Sequence, residues 1–221
     1  MLASDYIHPR IPSLQVTDPA GTALRWMEEL GVDTLPVSEE SIFMGFVVDE
    51  NLFEQDQLDT PLAQVELESR ACWVYEDAHL YDLLRVSEEQ QAKWVAVVDR
   101  DQHLVGVAST QDALSAYANS LSIHSQGSVL VVSLQMKDYQ LSEIARLVES
   151  ENAKILSCLL SSDPMDPQQL DVTLKLDRQD LRHVKATLQR FGYQVMDYSQ
   201  EEGIQSIEEE RIGNLLRFLE S

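Results

Sequence analysis

The strongest constraint on this chain is an internal repeat: the segment from Leu14 to Asn51 recurs between Ala71 and Asp112. Asp18 aligns with Asp77, Leu24 with Leu83 and Val37 with Ala96 at an offset of 59, and Gly45 then aligns with Gly106 and Asn51 with Asp112 at an offset of 61. A two-residue insertion between Ala96 and Gly106 accounts for the change. Self-similarity at such a period marks two copies of one supersecondary unit.

Both copies carry the same order of elements, helix, strand, strand, helix. In the first, Asp18 is expected to cap a helix with Pro19 at its first position; Ala23, Met27 and Leu30 form an apolar stripe that stops at Gly31. Thr34 to Ser38 and Phe43 to Val48 are β-rich runs separated by Glu39, Glu40 and Ser41, and a short helix follows from about Glu50. In the second, Asp77 takes the capping position before Leu80, Leu83 and Leu84. Trp94 to Val98 and Leu104 to Ala108 are the strands, and Ser109 or Thr110 opens a helix through Ala113, Leu114 and Tyr117.

This twofold pattern resembles a pair of CBS domains over about residues 5 to 122. The matching residues are Leu35, Pro36 and Val37 in the first copy and the run Gly106, Val107, Ala108, Ser109, Thr110, Gln111, Asp112 in the second. The latter fits the family's ending of Gly, two hydrophobic residues, Ser or Thr, two variable residues and Asp. The resemblance implies two stacked units with two clefts, where adenosyl compounds such as AMP, ATP or S-adenosylmethionine bind. An Asp one turn into a helix can accept hydrogen bonds from both ribose hydroxyls, while a Ser hydroxyl and backbone N–H groups at the same helix start face a phosphate. Asp112 and Ser109 are the candidates for these roles. By the same resemblance Trp73 and Val74, on the chain entering the second copy, flank the adenine. Ser109 as an N-cap, Asp112 as a first-turn acid and Trp73 as core or dimer packing account for the same residues without a ligand. The first copy departs from the pattern, with Val48 where the hydroxyl belongs and Asn51 where the acid belongs. At most one nucleotide cleft is expected, the one that uses Asp112.

After a linker at Gln126 to Ser128 the periodicity changes. Val129 to Leu134 reads as a buried strand, Leu141, Ile144, Ala145 and Val148 recur at helical spacing, and Ala153 to Leu160 returns to strand. A polar loop is expected from Ser161 to Pro167, then an alternating strand, Leu170, Val172, Leu174 and Leu176. Asp180 opens a helix with Leu181, Val184 and Leu188, Gly192 ends it, and Tyr193 to Met196 is the last strand. The order βαββαβ is the ferredoxin-like arrangement. Following a CBS pair, it resembles an ACT domain, and the whole resembles the acetoin-utilisation-type CBS and ACT regulatory proteins of bacteria. ACT domains that bind amino acids usually carry a Gly after the first strand, where this chain has Gln135, Met136, Lys137, Asp138, Tyr139 and Gln140. Side chains at Asp138, Tyr139 or Gln140 are expected to fill that space, leaving the domain to dimerise or transmit motion. From Ser206, a capping box with Glu209 precedes an apolar stripe of Ile207, Ile212, Leu215, Leu216 and Leu219.

The expected fold is therefore α+β: a CBS pair over 1–124 (copies at about 5–60 and 61–122), an ACT-like domain over 128–200 and an amphipathic helix over 203–221. A formal charge of −22 argues against a nucleic-acid partner, because no basic stripe is available to displace counterions. The absence of a long apolar run and of a signal peptide implies a cytoplasmic protein that does not cross a membrane. Cys72 and Cys158 read as reduced, buried thiols, and the scattered histidines offer no metal-ligand spacing. No nucleophile elbow, ligand cluster or phosphate-binding Gly loop is present, so the expected function is regulatory rather than enzymatic. The protein is expected to be a homodimer that senses an adenosyl ligand and signals to a client protein. The alternative is a ligand-free scaffold.

Overall fold

The computed structural model describes residues 1–53, 58–163 and 166–197, and the chain forms two compact units, Met1–Tyr117 and one from Ala118 onward. The expected helix at 203–221 lies outside the described residues. The first repeat comprises β1 (Leu14–Gln15), α1 (Ala20–Leu30), β2 (Thr34–Glu39), β3 (Ile42–Val48) and α2 (Asp49–Phe53). The second comprises β4 (Trp73–Tyr75), α3 (Leu80–Glu89), β5 (Trp94–Val98), β6 (Leu104–Ser109) and α4 (Thr110–Ser120). Each repeat has a three-stranded sheet, β1-β2-β3 and β4-β5-β6, whose first pair is parallel and second antiparallel. The middle strands are buried over consecutive residues, Leu35 to Ser38 and Val95 to Val98. That explains their continuous apolar runs, since both faces are covered.

The strand register corrects the alignment drawn from sequence. Leu14 pairs with Val37 and Gln15 with Ser38 in the first repeat, as Val74 pairs with Val97 and Tyr75 with Val98 in the second. Helices α1 and α3 begin at Ala20 and Leu80. The offset through these elements is therefore 60, and it becomes 61 only after the strand turn, where Val48 matches Ser109 opposite Thr34 and Trp94. One residue is inserted, not two. In the first turn Glu40 and Ser41 both have positive φ, 48° and 70°, which makes a two-residue hairpin of the primed type. In the second turn Asp99 N donates to His103 O at 2.9 Å, enclosing three residues of which Gln102, at φ 66°, is the last, and the Asp99 carboxylate accepts the Asp101 and His103 backbone N–H groups at 2.9 and 2.8 Å.

Neither Asp18 nor Asp77 caps a helix. The Asp18 carboxylate accepts from Gln15 N at 2.7 Å, closing the turn after β1, and Asp77 pairs with Arg100. His79 is the α3 cap, its Nδ1 accepting from Tyr81 N at 3.2 Å. Asp18 lies one residue before the α1 cap position, Pro19, and Asp77 two before His79, and each carboxylate has another partner.

The two repeats exchange their leading segments. The chain before the first repeat packs on the second: Ala3 N donates to Ala78 O at 2.9 Å, Ser4 N to Glu76 O at 3.1 Å, and His8 N to Val107 O at 2.8 Å. The linker before the second repeat packs on the first in the same way, Leu62 N to Asp18 O at 2.9 Å, Ala63 N to Val16 O at 2.7 Å and Glu68 N to Phe46 O at 2.8 Å. Ala3 accordingly belongs to the core of the second repeat, with Leu80, Leu83 and Val107, while Leu62 and Val65 belong to that of the first, with Leu14, Leu35 and Val47. Backbone groups at the outer strand of each sheet thus gain partners that the repeat alone lacks. Ile42 and His103, at the two turns, pair across the module as an antiparallel bridge.

The unit from Ala118 onward contains β7 (Ser128–Gln135), α5 (Leu141–Ser150), β8 (Ile155–Asp163), β9 (Asp166–Leu176), α6 (Arg182–Arg190) and β10 (Gln194–Asp197). Its sheet runs β10-β7-β9-β8 with every neighbour antiparallel, which is the ferredoxin-like order. Ile144, Leu147 and Val148 of α5 and Val184 and Leu188 of α6 share one buried cluster with Leu130, Val132, Val172 and Leu174, so both helices cover the same face. The expected loop from Ser161 to Pro167 is largely strand, because β8 runs to Asp163 and β9 starts at Asp166. A long hairpin satisfies these polar residues' backbone groups along the ladder, which composition alone does not reveal.

Candidate functional site

In the N-terminal unit, α4 is stapled to the turn that precedes β5. Thr110 Oγ1 donates to Ala92 O at 2.8 Å, and Thr110 N donates to Lys93 O at 3.0 Å. Ser109 Oγ accepts Asp112 N at 3.2 Å. This is the geometry of an N-cap, and a hydroxyl used as an acceptor retains its own proton to donate. Asp112 is exposed on the first turn of α4.

Beside this helix start opens a cleft of about 590 Å³. Val32, Ala92, Trp94 and Leu114 supply its apolar wall, and Asp33, Lys93, Ser109, Thr110, Gln111 and Ser115 its polar groups. The Trp94 ring meets the His8 imidazole edge-on at 5.5 Å, which braces it from the leading segment. Asp33 and Lys93 form an ion pair. The ammonium hydrogen bond holds the Asp33 carboxyl below its ordinary range, and the same bond raises Lys93.

Of the residues singled out from sequence, the structure brings Ser109 to the cleft and leaves Asp112 one residue beyond the lining residue Gln111. Trp73 and Val74 lie on β4, which β5 separates from β6 and Ser109. Val74 is buried, and the Trp73 ring packs edge-on against Tyr75 at 5.3 Å. The segment that runs beside β6 is instead the leading one, with Ile7 bridged to Ala108 and His8 bonded to Val107. Asp33, Lys93 and Trp94 were not anticipated from sequence. At the offset of 60 given by the strand register, Asp33 falls on Lys93, an opposite-charge match at equivalent positions.

On the first-repeat side the corresponding space is about 160 Å³, lined by Phe46, Val48 and Glu68 among others. Ligand pockets ordinarily measure about 300–1,000 Å³, so this one is below the range and the larger cleft is within it. Asn51, the residue in the place of Asp112, is committed elsewhere: its amide donates to Glu66 O and to Glu68 Oε1, both at 3.2 Å.

The C-terminal unit has its own cleft, about 530 Å³, where Gln135, Asp138, Gln140, Glu143, Tyr193 and Gln194 meet. The loop after β7 was expected to fill this space. Asp138 and Gln140 line it, while Tyr139 packs against the core cluster. Tyr193 Oη donates to Glu143 Oε2 at 3.3 Å across it.

Cys72 is buried with its thiol donating to Trp94 O at 3.3 Å, and burial pushes its pKa up to about 12. Cys158 is half-buried and raised for the same reason. Asp99, Asp101 and His103 bring ligand-type atoms within 4.8 Å of one another, and the turn hydrogen bonds described above account for their proximity. Among the described residues no helix is long and apolar enough to cross a membrane.

Residues 66–119 match the CBS domain family, a span that runs from the linker through most of α4. The chain is similar to a CBS domain pair/ACT domain protein from Thermotoga maritima, at 25% identity and a TM-score of 0.50, over 55% of this chain and 99% of that one. A protein from Methanocaldococcus jannaschii has the same fold at 16% identity and a TM-score of 0.50, over 56% of this chain and 62% of that one. A comparison with curated proteins finds no match. With the first repeat reproducing the second element for element, the N-terminal unit has the fold of a CBS domain pair.

Proposed function

We propose that the protein is a non-enzymatic regulator whose CBS pair binds one adenosyl ligand in the cleft beside α4 and passes the resulting change to a partner protein. The observation that carries this is the asymmetry of the two clefts. One has nucleotide dimensions, an apolar wall and hydroxyl groups at a helix start; the other is too small, and its Asn51 is tied to the linker. Adenine stacks on the wall made by Val32, Trp94 and Leu114, in place of Trp73 and Val74, and the ribose hydroxyls reach Asp112. The C-terminal unit serves as an ACT-like module for pairing with a second copy in a cytoplasmic homodimer.

A thermal-shift screen of AMP, ATP, S-adenosylmethionine and free amino acids on the full chain tests the proposal, since a ligand bound only by the folded state raises the melting temperature. An adenosyl compound should shift it, and Asp112→Asn should weaken binding about tenfold to a hundredfold, the worth of a charged hydrogen bond of roughly 1.5–3 kcal/mol. No shift with any adenosyl compound returns the protein to a scaffold. Light scattering should report twice the mass of one chain, and a monomer would remove the dimer.

A further inference from the structure

The charged side chains that line the larger cleft are one pair, which also borders the smaller space on the first-repeat side. Among the larger cleft's lining residues Asp33 is the one acid and Lys93 the one base, and they face each other as a pair. A nucleotide phosphate carries about −1.5 to −2 charges. If it took Lys93, it would leave Asp33 as a bare carboxylate beside its oxygens, and the chain's formal charge of −22 adds to the repulsion. A tail bearing both an ammonium and a carboxylate meets no such penalty. Its ammonium sits against Asp33 and its carboxylate against Lys93, so that the four charges alternate around a ring and each has two opposite neighbours.

We propose that the Asp33–Lys93 pair makes this cleft select adenosyl compounds with an amino-acid tail, of the S-adenosylmethionine and S-adenosylhomocysteine type, over AMP, ADP and ATP. The proposal rests on the cleft binding an adenosyl ligand, as set out above. The pair is the selecting element, and the wall at Trp94 and Asp112 are the common ones: adenosine, which has no charged tail, engages these without the pair. Both paired side chains remain well exposed, at 73% for Lys93 and 42% for Asp33, so substitutions there change the site without opening the core.

Calorimetric titration of the full chain with adenosine, S-adenosylhomocysteine, AMP and ATP decides it. Wild type should bind S-adenosylhomocysteine at least tenfold more tightly than AMP or ATP. Asp33→Asn, which removes the like charge and one partner of the tail, should narrow or reverse that ratio by about tenfold. Lys93→Gln should weaken S-adenosylhomocysteine by a larger factor than adenosine. AMP or ATP binding as tightly as S-adenosylhomocysteine, or a ratio indifferent to Asp33→Asn, overturns the selection but leaves the adenosyl cleft standing. Absence of binding by all four compounds overturns the adenosyl cleft itself, and the selection with it.

Discussion

The Asn51 side-chain amide and the Glu68 carboxylate are joined at 3.2 Å, and through this bond and its twin to Glu66 O the first repeat holds the linker that belongs to the second. A residue that stands in the place of a ribose acceptor is thus part of the repeat-to-repeat connection. Replacing it with the family's acid would set two carboxylates against each other. Asn51→Asp should therefore lower the melting temperature and create no second site, and Asn51→Ala should cost about 1 kcal/mol for the lost bonds. Thermal unfolding with and without adenosyl ligand reads both; a second equivalent of bound ligand in Asn51→Asp would contradict this account.

Gly45 and Gly106 occupy matching places beside the exchanged segments, yet they should tolerate alanine differently. Gly45 has φ 141°, and a Cβ there would lie 2.9 Å from the Glu68 carbonyl oxygen, so backbone must move. At Gly106 the three atoms nearest to a Cβ all belong to the Ile7 side chain, with Cγ2 at 2.6 Å. Gly45→Ala should destabilise by about 1–3 kcal/mol. Gly106→Ala should recover most of its smaller loss when combined with Ile7→Ala, whereas no single side-chain truncation at the linker should rescue Gly45→Ala. Urea unfolding of the four variants supplies the comparison.

The leading segment should behave as structure rather than as a dispensable tail. Deletion of residues 1–8 removes the buried Ala3 and its hydrogen bonds to the second repeat. The loss should be about 3 kcal/mol, on the order of 10 °C in melting temperature. Unchanged hydrogen exchange at Val107 and Ala108 in the deletion would show that the segment contributes nothing.

Cys72 should resist alkylation in the native protein. An ordinary thiol has a pKa of about 8.5 and is the thiolate when it reacts, while burial pushes this one up to about 12. At pH 8.5 iodoacetamide should label it far more slowly than in 8 M urea, by the order of a hundredfold. Because the folded value is raised, the neutral thiol's contribution to stability is complete below about pH 8.5 and is lost as pH climbs toward 12. The urea midpoint of wild type should therefore fall more steeply over that interval than that of Cys72→Ala. Equal slopes would place the titration elsewhere.

Local pattern alone determined a good deal about this protein. The repeat from Leu14 to Asp112, the strand runs at Leu35 and Val95 and the alternation from Leu170 to Leu176 are visible because side-chain period reports which face is buried. The helix start at Ser109 was readable for the same reason, since capping depends on residues within one turn. Tertiary structure alone decided the true offset of 60, the exchange of leading segments and the cleft formed by Val32, Asp33, Lys93 and Trp94. Asp18 and Asp77 read as caps, but Asp18 closes the turn after β1 and Asp77 pairs with Arg100, and Trp73 and Val74 were assigned to a wall that the sheet order places on the far side of β5. Periodicity carries information along an element and one turn beyond it. Which distant segment closes an open sheet edge depends on backbone hydrogen bonds, and these leave no mark on side-chain identity.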